Sequence, residues 1–585
     1  MTLRSRALGK HNYFLVRCKR TCLQWLARRY STQMYPSSSQ PGNMLDAPAP
    51  RFASAPGQPA APAPVRPLSW APYTPSLDQE KAAKEKADSN AGPRLCDLEK
   101  DGVQDAALRP TLLQVATILL SSLATLQFGI SYSWPNSLAG DLRTDNSTLL
   151  GHQISVTSVG HDLVGSLMFA GVGLGILPSS WLVGRFGRRI CMIAPTLPTF
   201  LGWALIAFAH NDILIFIGRF VSGLSLGMMV QASKIYVAEI SNASIRGTAC
   251  TFMEMVKLGG FVLVVAVAIK VSWYVIAGSL AVLALVYGGA MLAVPESPNF
   301  LAVQGREEEA RRVLRRFRGP GADVDAQLAL LRHRNQRSDG ASGFAALLKR
   351  DVLRSVAALL LLITFRSMCG CEMITVHCTR MLLATGVTLD HTLGTLIVNS
   401  AYVLGGLCLT MTVDRLGRRR SMLVSLAVML AGNTVLGCYC YSFPASAVPG
   451  LDIELLSPLD ANTTVSYLAG NTTVPYIAGQ SDTGDAERLL PLLCFLAVAF
   501  GAGLGIANIP LVLAVEYFPT NIRAEGCGLC MVWMASCTAV MLQLYSVLLD
   551  SLTIAGIYWF FALSAMAATV HTLCCIRETS KCDIG

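Results

Sequence analysis

Two copies of one basic pattern stand out among the residues able to do chemistry. Gly184-Arg185-Phe186-Gly187-Arg188-Arg189 and Asp414-Arg415-Leu416-Gly417-Arg418-Arg419 lie 230 residues apart, each where one long apolar stretch stops and the next begins. Each is followed by a Glu and, seven residues later, an Arg: Glu239 with Arg246, and Glu516 with Arg523. The first Glu falls 54 residues after Arg185 and the second 101 after Arg415. The excess of 47 is close to the length of a polar loop, roughly 443–488, that interrupts only the second half. Removing that loop superimposes the halves, so the chain is an internal duplication with charged groups at matched places. Guanidinium and carboxylate groups at helix ends can form ion pairs.

A second constellation lies inside the apolar stretches. Arg366, Ser367, Glu372 and His377 fall within one of them, Glu254 and Lys257 in another, and Asp162 near the start of a third. An unpaired ion at the middle of a bilayer costs several kcal/mol or more, so such groups face a wet cavity or a partner. Glu254 and Lys257 are spaced i, i+3 and are placed to neutralise each other. Arg366 and Glu372 are six residues apart, about 600° around a helix. In one straight helix they cannot share a face, so they need cavity water, a solute or another span.

The elements that position these groups follow from composition. Hydrophobic residues make up 52% of 585 and charged ones 14%, against roughly 25% charged in a soluble domain. Apolar runs of about 20 residues occur near 111–133, 160–183, 190–209, 212–236, 248–270, 273–294, 355–385, 391–413, 421–442, 489–514, 524–548 and 553–576, the seventh long enough to contain a break. Backbone polar groups cannot stay unpaired in lipid, so these runs are expected to be helices. The fold class is an all-α membrane protein of twelve spans in two six-helix lobes, 107–295 and 351–576. Glycines at Gly171, Gly173 and Gly175, and at Gly501, Gly503 and Gly505, mark close helix approaches.

Arg clusters follow the even spans, which places those loops and both termini in the cytosol. The sequons at Asn146, Asn462 and Asn471 fall in loops expected outside, making them glycosylation candidates, whereas Asn242 falls on the inner side and should stay bare. The cysteines lie mostly inside spans (Cys369, Cys371, Cys378, Cys527, Cys530, Cys537, Cys574, Cys575) and read as small apolar fillers, not a disulfide framework. The sequence shows neither paired CxxC motifs nor a His cluster, so no metal is expected. With no nucleophile–base pair and no phosphate-cradling loop, the chain reads as neither an enzyme nor a cofactor binder. The expected partners are a small-molecule solute and the lipid bilayer, with no nucleic acid, and the expected working form is a monomer.

Residues 1–34 carry eight Arg or Lys and no acid. This start resembles a mitochondrial transit peptide, and a basic cytosolic tail is the competing reading; plasma membrane is the expected location, an internal membrane the alternative. Residues 41–75 hold ten prolines amid Ala and Ser, a composition unable to bury a core. Residues 296–350 form a polar linker. Its segment from Gln304 to Leu314 reads as a charged helix with acids leading and bases following, as the helix dipole favours.

These residues resemble the major facilitator superfamily and, within it, the sugar porter branch, over about 107–580. The resemblance rests on both Gly-Arg repeats, Gly218-Arg219, Glu239 to Arg246-Gly247, Pro295-Glu296-Ser297-Pro298, and Glu516 to Arg523. Phe128-Gly129-Ile130-Ser131-Tyr132-Ser133-Trp134-Pro135 and Gly305-Arg306-Glu307-Glu308 are similar to the arthropod facilitated trehalose transporters. The resemblance implies alternating access, with a latch of ion pairs between the lobes formed from Arg185, Arg188, Arg189, Glu239, Arg246, Asp414, Arg418, Arg419, Glu516 and Arg523. Positive-inside topology alone would account for the arginines but not for the acids. Gly184, standing where the second half has Asp414, departs from the pattern.

Sugar porters line the cavity from span 7 with a Gln pair, a Gly-x-Asn and a Tyr. Here Arg366 and Ser367 stand for the Gln pair, Glu372 for the Asn and His377 for the Tyr. Glu254 replaces a Gln in span 5. Asn508-Ile509-Pro510-Leu511 replaces Pro-Ile-Pro-Trp, Met534-Ala535 replaces Asn-Trp, and Asn399 matches. The implied function is movement of a small polar solute, a sugar or polyol. Ile130 and Ser131 stand where proton-coupled relatives carry an Asp, which points to facilitated diffusion. The ionisable cavity keeps open an organic-ion or other charged-solute carrier, which Glu516 to Arg523 also resembles. The short segment 134–160 between spans 1 and 2 favours the sugar porters. A non-transporting sensor is the third reading; the short tail from Arg577 weighs against it, and the long N-terminal tail leaves room for it.

Overall fold

The computed structural model describes residues 111–144, 148–319, 323–338, 350–385, 387, 389–443, 485–518, 522–576 and 578. The chain divides into two compact units, Met1–Asn90 and Ala91–Gly585, and the first lies wholly outside the described residues. So do the basic and proline-rich tail segments, the three sequons Asn146, Asn462 and Asn471, and the side chains of Asp414 and Arg523.

Among the described residues the chain is almost wholly helical. Eleven helices among these residues are long and apolar enough to cross a membrane: Leu112–Leu142, Ser158–Phe186, Arg188–Ala207, Asp212–Ile240, Ile245–Ala268, Trp273–Leu292, His391–Val413, Arg418–Ser442, Leu489–Tyr517, Glu525–Gln543 and Tyr545–Cys575. They are spans 1–6 and 8–12. The seventh of the twelve expected spans is present but broken into Arg350–Met368, Cys371–Val376 and Cys378–Ala384. Gly370 stands at the first break in the left-handed region, φ +82°, where a side chain would be strained. A Cβ there would also meet the Phe561 ring at 2.8 Å.

Side-chain caps start several spans by accepting an otherwise orphaned N–H. Thr111 accepts from Gln114, Thr157 from Gly160, and Asn211 from Leu214. The expected glycine seams form. A Cβ on Gly171 or Gly175 would run into the backbone of span 4 at Phe220 or Leu224, and one on Gly503 into Tyr402 of span 8. Small residues thus let the helix axes approach.

The two basic repeats fold alike. Gly187 and Gly417 break spans 2 from 3 and 8 from 9 with φ +94° and +87°, conformations open essentially to glycine alone. A carboxylate then caps each following helix. Glu296 accepts from the backbone N–H of Arg188 (3.0 Å) and Arg189 (3.1 Å), and Glu578 from those of Arg418 (2.9 Å) and Arg419 (3.1 Å). Linker helices Pro298–Val303, Glu307–Arg318 and Val324–Ser338 follow span 6. The second is tied to the first lobe by Thr111 Oγ1 donating to Phe317 O (3.0 Å) and Arg318 donating to Ile240 O (3.2 Å).

Candidate functional site

At the centre of the bundle, Arg366 and Glu372 form a buried ion pair. The two belong to one span. The break at Gly370 turns Glu372 back toward Arg366, which corrects the expectation that they need another span or a solute to meet. Arg366 Nε also donates to Ala507 O in span 10 at 2.9 Å. Glu372 Oε2 and Ser367 Oγ are buried without a hydrogen-bond partner among the described residues. Aromatic rings from both lobes fill the neighbouring space. Tyr132 packs on Phe169 (4.8 Å between centroids) and Phe261 (4.7 Å), and Phe261 on Tyr402 of span 8 (5.9 Å).

Within the first lobe, Arg219 of span 4 is fully buried. Its guanidinium donates to Val164 O and Ser131 O, both at 2.9 Å, and to Ser131 Oγ at 3.2 Å. It lies 5.4 Å from the Trp134 ring. Its charge is held by carbonyl dipoles and aromatic faces, and the span-1 residue against it is a neutral serine.

At the end remote from the basic repeats, the two lobes are joined directly. Arg380 of span 7 pairs with Asp162 of span 2 at 2.5 Å, with side chains 14% and 1% exposed. Asp162 also accepts the Ser546 N–H from span 12 at 2.8 Å. His377 stacks on Tyr545 (5.1 Å) and places Nε2 3.9 Å from Asp162. Ser166 donates to Gln543 of span 11 at 2.7 Å. Asn136 of span 1 donates to Thr375 O (2.7 Å) and accepts from Thr379 N–H (3.1 Å). Asn399 donates to Ser133 Oγ at 3.0 Å.

At the repeat end the ion pairs close within each lobe. Arg188 reaches Glu239 at 2.6 Å, and Arg418 reaches Glu516 at 3.0 Å. The implied latch between lobes is therefore not what these two pairs make. Glu239 also accepts from Ser297 and from Asn299 (3.1 Å). Arg189 and Arg419 donate to the carbonyls of Leu292 and Leu573 at corresponding places. Arg185 and Arg246 are exposed, and Arg246 makes one long contact to Ser241 O (3.5 Å). Burial, ahead of its backbone hydrogen bonds, raises the Glu296 carboxyl above its ordinary range. Asn242 is buried and accepts from Gln114 Nε2 at 3.3 Å.

The candidate residues therefore separate. Arg366, Ser367 and Glu372 share the centre, whereas His377 and Asn399 belong to the remote seam. Glu254, half-buried between the centre and the repeat end, is held by Lys257 as expected and also by Lys234 of span 4; this group lies within electrostatic reach of Tyr402 and Arg366. Asn508 donates back to Gly503 O (3.1 Å) within span 10, Leu511 is half-buried, and Met534 packs on the second-lobe core. Sequence reasoning passed over Arg380, Lys234, Asn136 and Glu578. The first two are charges inside apolar runs, a signal available without a structure; Asn136 has no such mark. Glu578 is legible only by matching Arg577-Glu578-Thr579-Ser580 to Pro295-Glu296-Ser297-Pro298.

A family model described as "Sugar (and other) transporter" matches residues 117–453 and 463–584. The chain is 24% identical to the facilitated trehalose transporter Tret1 of Culex quinquefasciatus over 482 residues, 81% of this chain and 85% of that protein. It is 26% identical to the human solute carrier family 2, facilitated glucose transporter member 6, over 417 residues, 71% of this chain and 79% of that protein. Among solved structures it is similar to the partially occluded inward-open form of the E. coli xylose transporter XylE, at 17% identity and a TM-score of 0.62. That match covers 81% of this chain and all of that one.

Proposed function

The chain belongs to the sugar (and other) transporter family, and from that premise we propose that it moves a sugar or polyol across a membrane by alternating access and facilitated diffusion. The observation that carries this reading is the asymmetry of the seam between lobes. At the remote end Asp162–Arg380, Ser166–Gln543 and Asn136–Thr379 join one lobe to the other, while Arg188–Glu239 and Arg418–Glu516 stay inside their lobes. Polar ties of this kind fit a carrier shut at its remote end; spans 2 and 11 also pack together further along, where Met531 and Val532 lie on the first-lobe core. Opening the remote end requires that these ties break as further contacts between lobes form at the repeat end.

Absence of proton coupling is supported at Arg219. A carboxylate on span 1 could exchange a proton beside this guanidinium, but Ser131 occupies the contact. By the positive-inside rule the repeat end is cytosolic, and the remote seam is then the outer gate. The proposed setting is the plasma membrane, with the basic start of the chain leaving an internal membrane as the other outcome. The names of the trehalose and glucose relatives support a sugar as solute.

A second reading is favoured by one feature: Glu254 lies between two lysines, Lys234 and Lys257, leaving an excess positive charge on the repeat-end side of the centre. This charge suits an anionic solute. Uptake into proteoliposomes of labelled trehalose, glucose and a panel of organic ions separates the readings. Sugar that equilibrates but does not accumulate under an imposed pH gradient is the expected result. Accumulation driven by the gradient, or uptake confined to ions, would overturn the uniport or the sugar assignment respectively.

A further inference from the structure

A cavity of about 560 Å³ opens at the repeat end, between the span 2–3 junction, the end of span 6 and linker helix Glu307–Arg318. Five arginines line it (Arg185, Arg189, Arg306, Arg312 and Arg316) with two acids, Glu296 and Glu309. Both acids are engaged. Glu296 caps span 3, and Glu309 takes a two-pronged contact from Arg306 at 2.7–2.9 Å. Among the described residues no acid pairs with Arg185, Arg312 or Arg316, and Arg189 Nε is buried without a partner. Arg312 and Arg316 are four apart on the linker helix, so they project from one face.

The surroundings identify where an anion would come from. Phe186 and Ile190, also in the lining, are 49% and 53% exposed, and Trp181 beside them is 67% exposed, edge-on to Phe186 at 6.3 Å. In a membrane-spanning bundle such surface faces lipid, and Trp at this depth marks the interface with the headgroups. The basic cavity is thus continuous with an acyl-chain surface. Basic pockets at such a boundary fit phosphate-bearing headgroups, and planar guanidinium groups match phosphate in two-pronged geometry.

We propose that this cavity seats the headgroup of an anionic phospholipid from the adjacent leaflet, bridging the first lobe to the linker helix. Arg185 and Arg189 hold it from the lobe, Arg312 and Arg316 from the linker. A lipid there ties the linker to the junction of spans 2 and 3.

The test uses the purified full chain in detergent, with retained lipid read by native mass spectrometry after adding equal phosphatidate and phosphatidylcholine. Wild type is expected to retain phosphatidate over phosphatidylcholine by roughly tenfold or more. The triple variant Arg185→Gln, Arg312→Gln, Arg316→Gln is expected to lose that preference, and the single Arg316→Gln to weaken it several-fold. Arg415→Gln with Arg420→Gln, exposed arginines of the second repeat that do not line the cavity, is expected to keep it. All three sites in the triple variant are solvent-facing, so thermal unfolding near wild type should confirm folding. Preference retained in the triple variant, or lost equally in Arg415→Gln with Arg420→Gln, overturns the site. Displacement of the lipid by inorganic phosphate at matching concentration would instead make it a soluble-anion site and overturn the lipid assignment.

Discussion

Asp162 in span 2 and Arg380 in span 7 meet at 2.5 Å across the seam between the lobes, with Asp162 buried and Arg380 largely so. Removing one partner of a buried pair leaves an uncompensated charge, at a cost of about 3–5 kcal/mol. Opening the remote end lets water reach that charge, so part of the cost is relieved only in the opened state. Asp162→Asn is therefore expected to favour opening there by roughly 2 kcal/mol, about thirtyfold in the lobe equilibrium. A cysteine placed at Ser137, buried in the same seam, reports it. Faster labelling by an impermeant maleimide in Asp162→Asn than in the Asp162 background is the expected outcome, and equal rates would show that the pair does not gate.

The pair at the centre behaves differently because both partners belong to span 7. Glu372→Gln strands Arg366 among Tyr132, Tyr402 and Ala507 O, so the single variant is expected to be less stable by about 3 kcal/mol or more. Replacing both by uncharged residues of similar volume, Arg366→Met with Glu372→Met, removes the stranded charge and should recover most of the loss. Thermal unfolding of the detergent-purified protein compares the three. A double variant no more stable than Glu372→Gln would mean that the pair does more than neutralise itself.

How much of this was legible in the sequence depends on whether a feature is local. The duplication, the spans and the glycine seams follow from period and spacing, and they hold: Gly171 and Gly503 sit where helices touch. The Arg366–Glu372 pair was not legible, because a 600° separation holds only while the helix is straight and Gly370 ends it. Nor could the sequence say that Arg188–Glu239 and Arg418–Glu516 close within lobes. The same charges serve either pairing, and only the relative position of the lobes decides. His377 and Asn399 stand at positions where the sugar porter resemblance implies a cavity lining, but a span crosses the whole bilayer and such a match does not fix depth. Arg366 and His377 are eleven residues apart with the break at Gly370 between them, and His377 stacks on Tyr545 beside Asp162, in the remote seam.

The matched caps predict matched defects. Gly187→Ala and Gly417→Ala each force a side chain into a conformation that costs about 1–3 kcal/mol, and each Cβ would lie 2.5–2.7 Å from a carboxylate oxygen of Glu296 or Glu578. Both variants are expected to lower the melting temperature by similar amounts. For Glu296 the sign with pH is set by burial. Its folded pKa is raised, so its contribution is fully present below the unfolded pKa and is lost as pH rises through the folded one. Glu296→Gln keeps an acceptor oxygen without the charge and should flatten that loss, whereas Glu296→Ala should cost stability at every pH. Melting curves at several pH values distinguish them, and a pH dependence identical in the wild type and in Glu296→Gln would exclude the carboxyl as its source.

The lysines around Glu254 bear on the solute itself. Glu254 accepts from Lys234 on span 4 and Lys257 on its own span, so its charge is spent on holding two ammonium groups together on the repeat-end side of the centre. Glu254→Gln keeps the size and one acceptor but leaves the two lysines mutually repelling, which strengthens the positive field in the pathway. For a neutral sugar this substitution restores the residue type that sugar porters carry at this place. Maximal uptake should then change by less than about threefold, because an uncharged solute gains or loses only a hydrogen bond worth about 1 kcal/mol. For an anionic solute the added field should lower KM by roughly tenfold or more, since each unscreened charge at close range counts for more than a neutral bond. Lys257→Gln should move the anion in the opposite direction and leave the sugar near its starting value. Concentration series for trehalose and for one organic anion, measured in all three proteins, read out both arms. Opposite shifts for the anion, with sugar uptake absent throughout, would reject the sugar reading in favour of the charged-solute carrier.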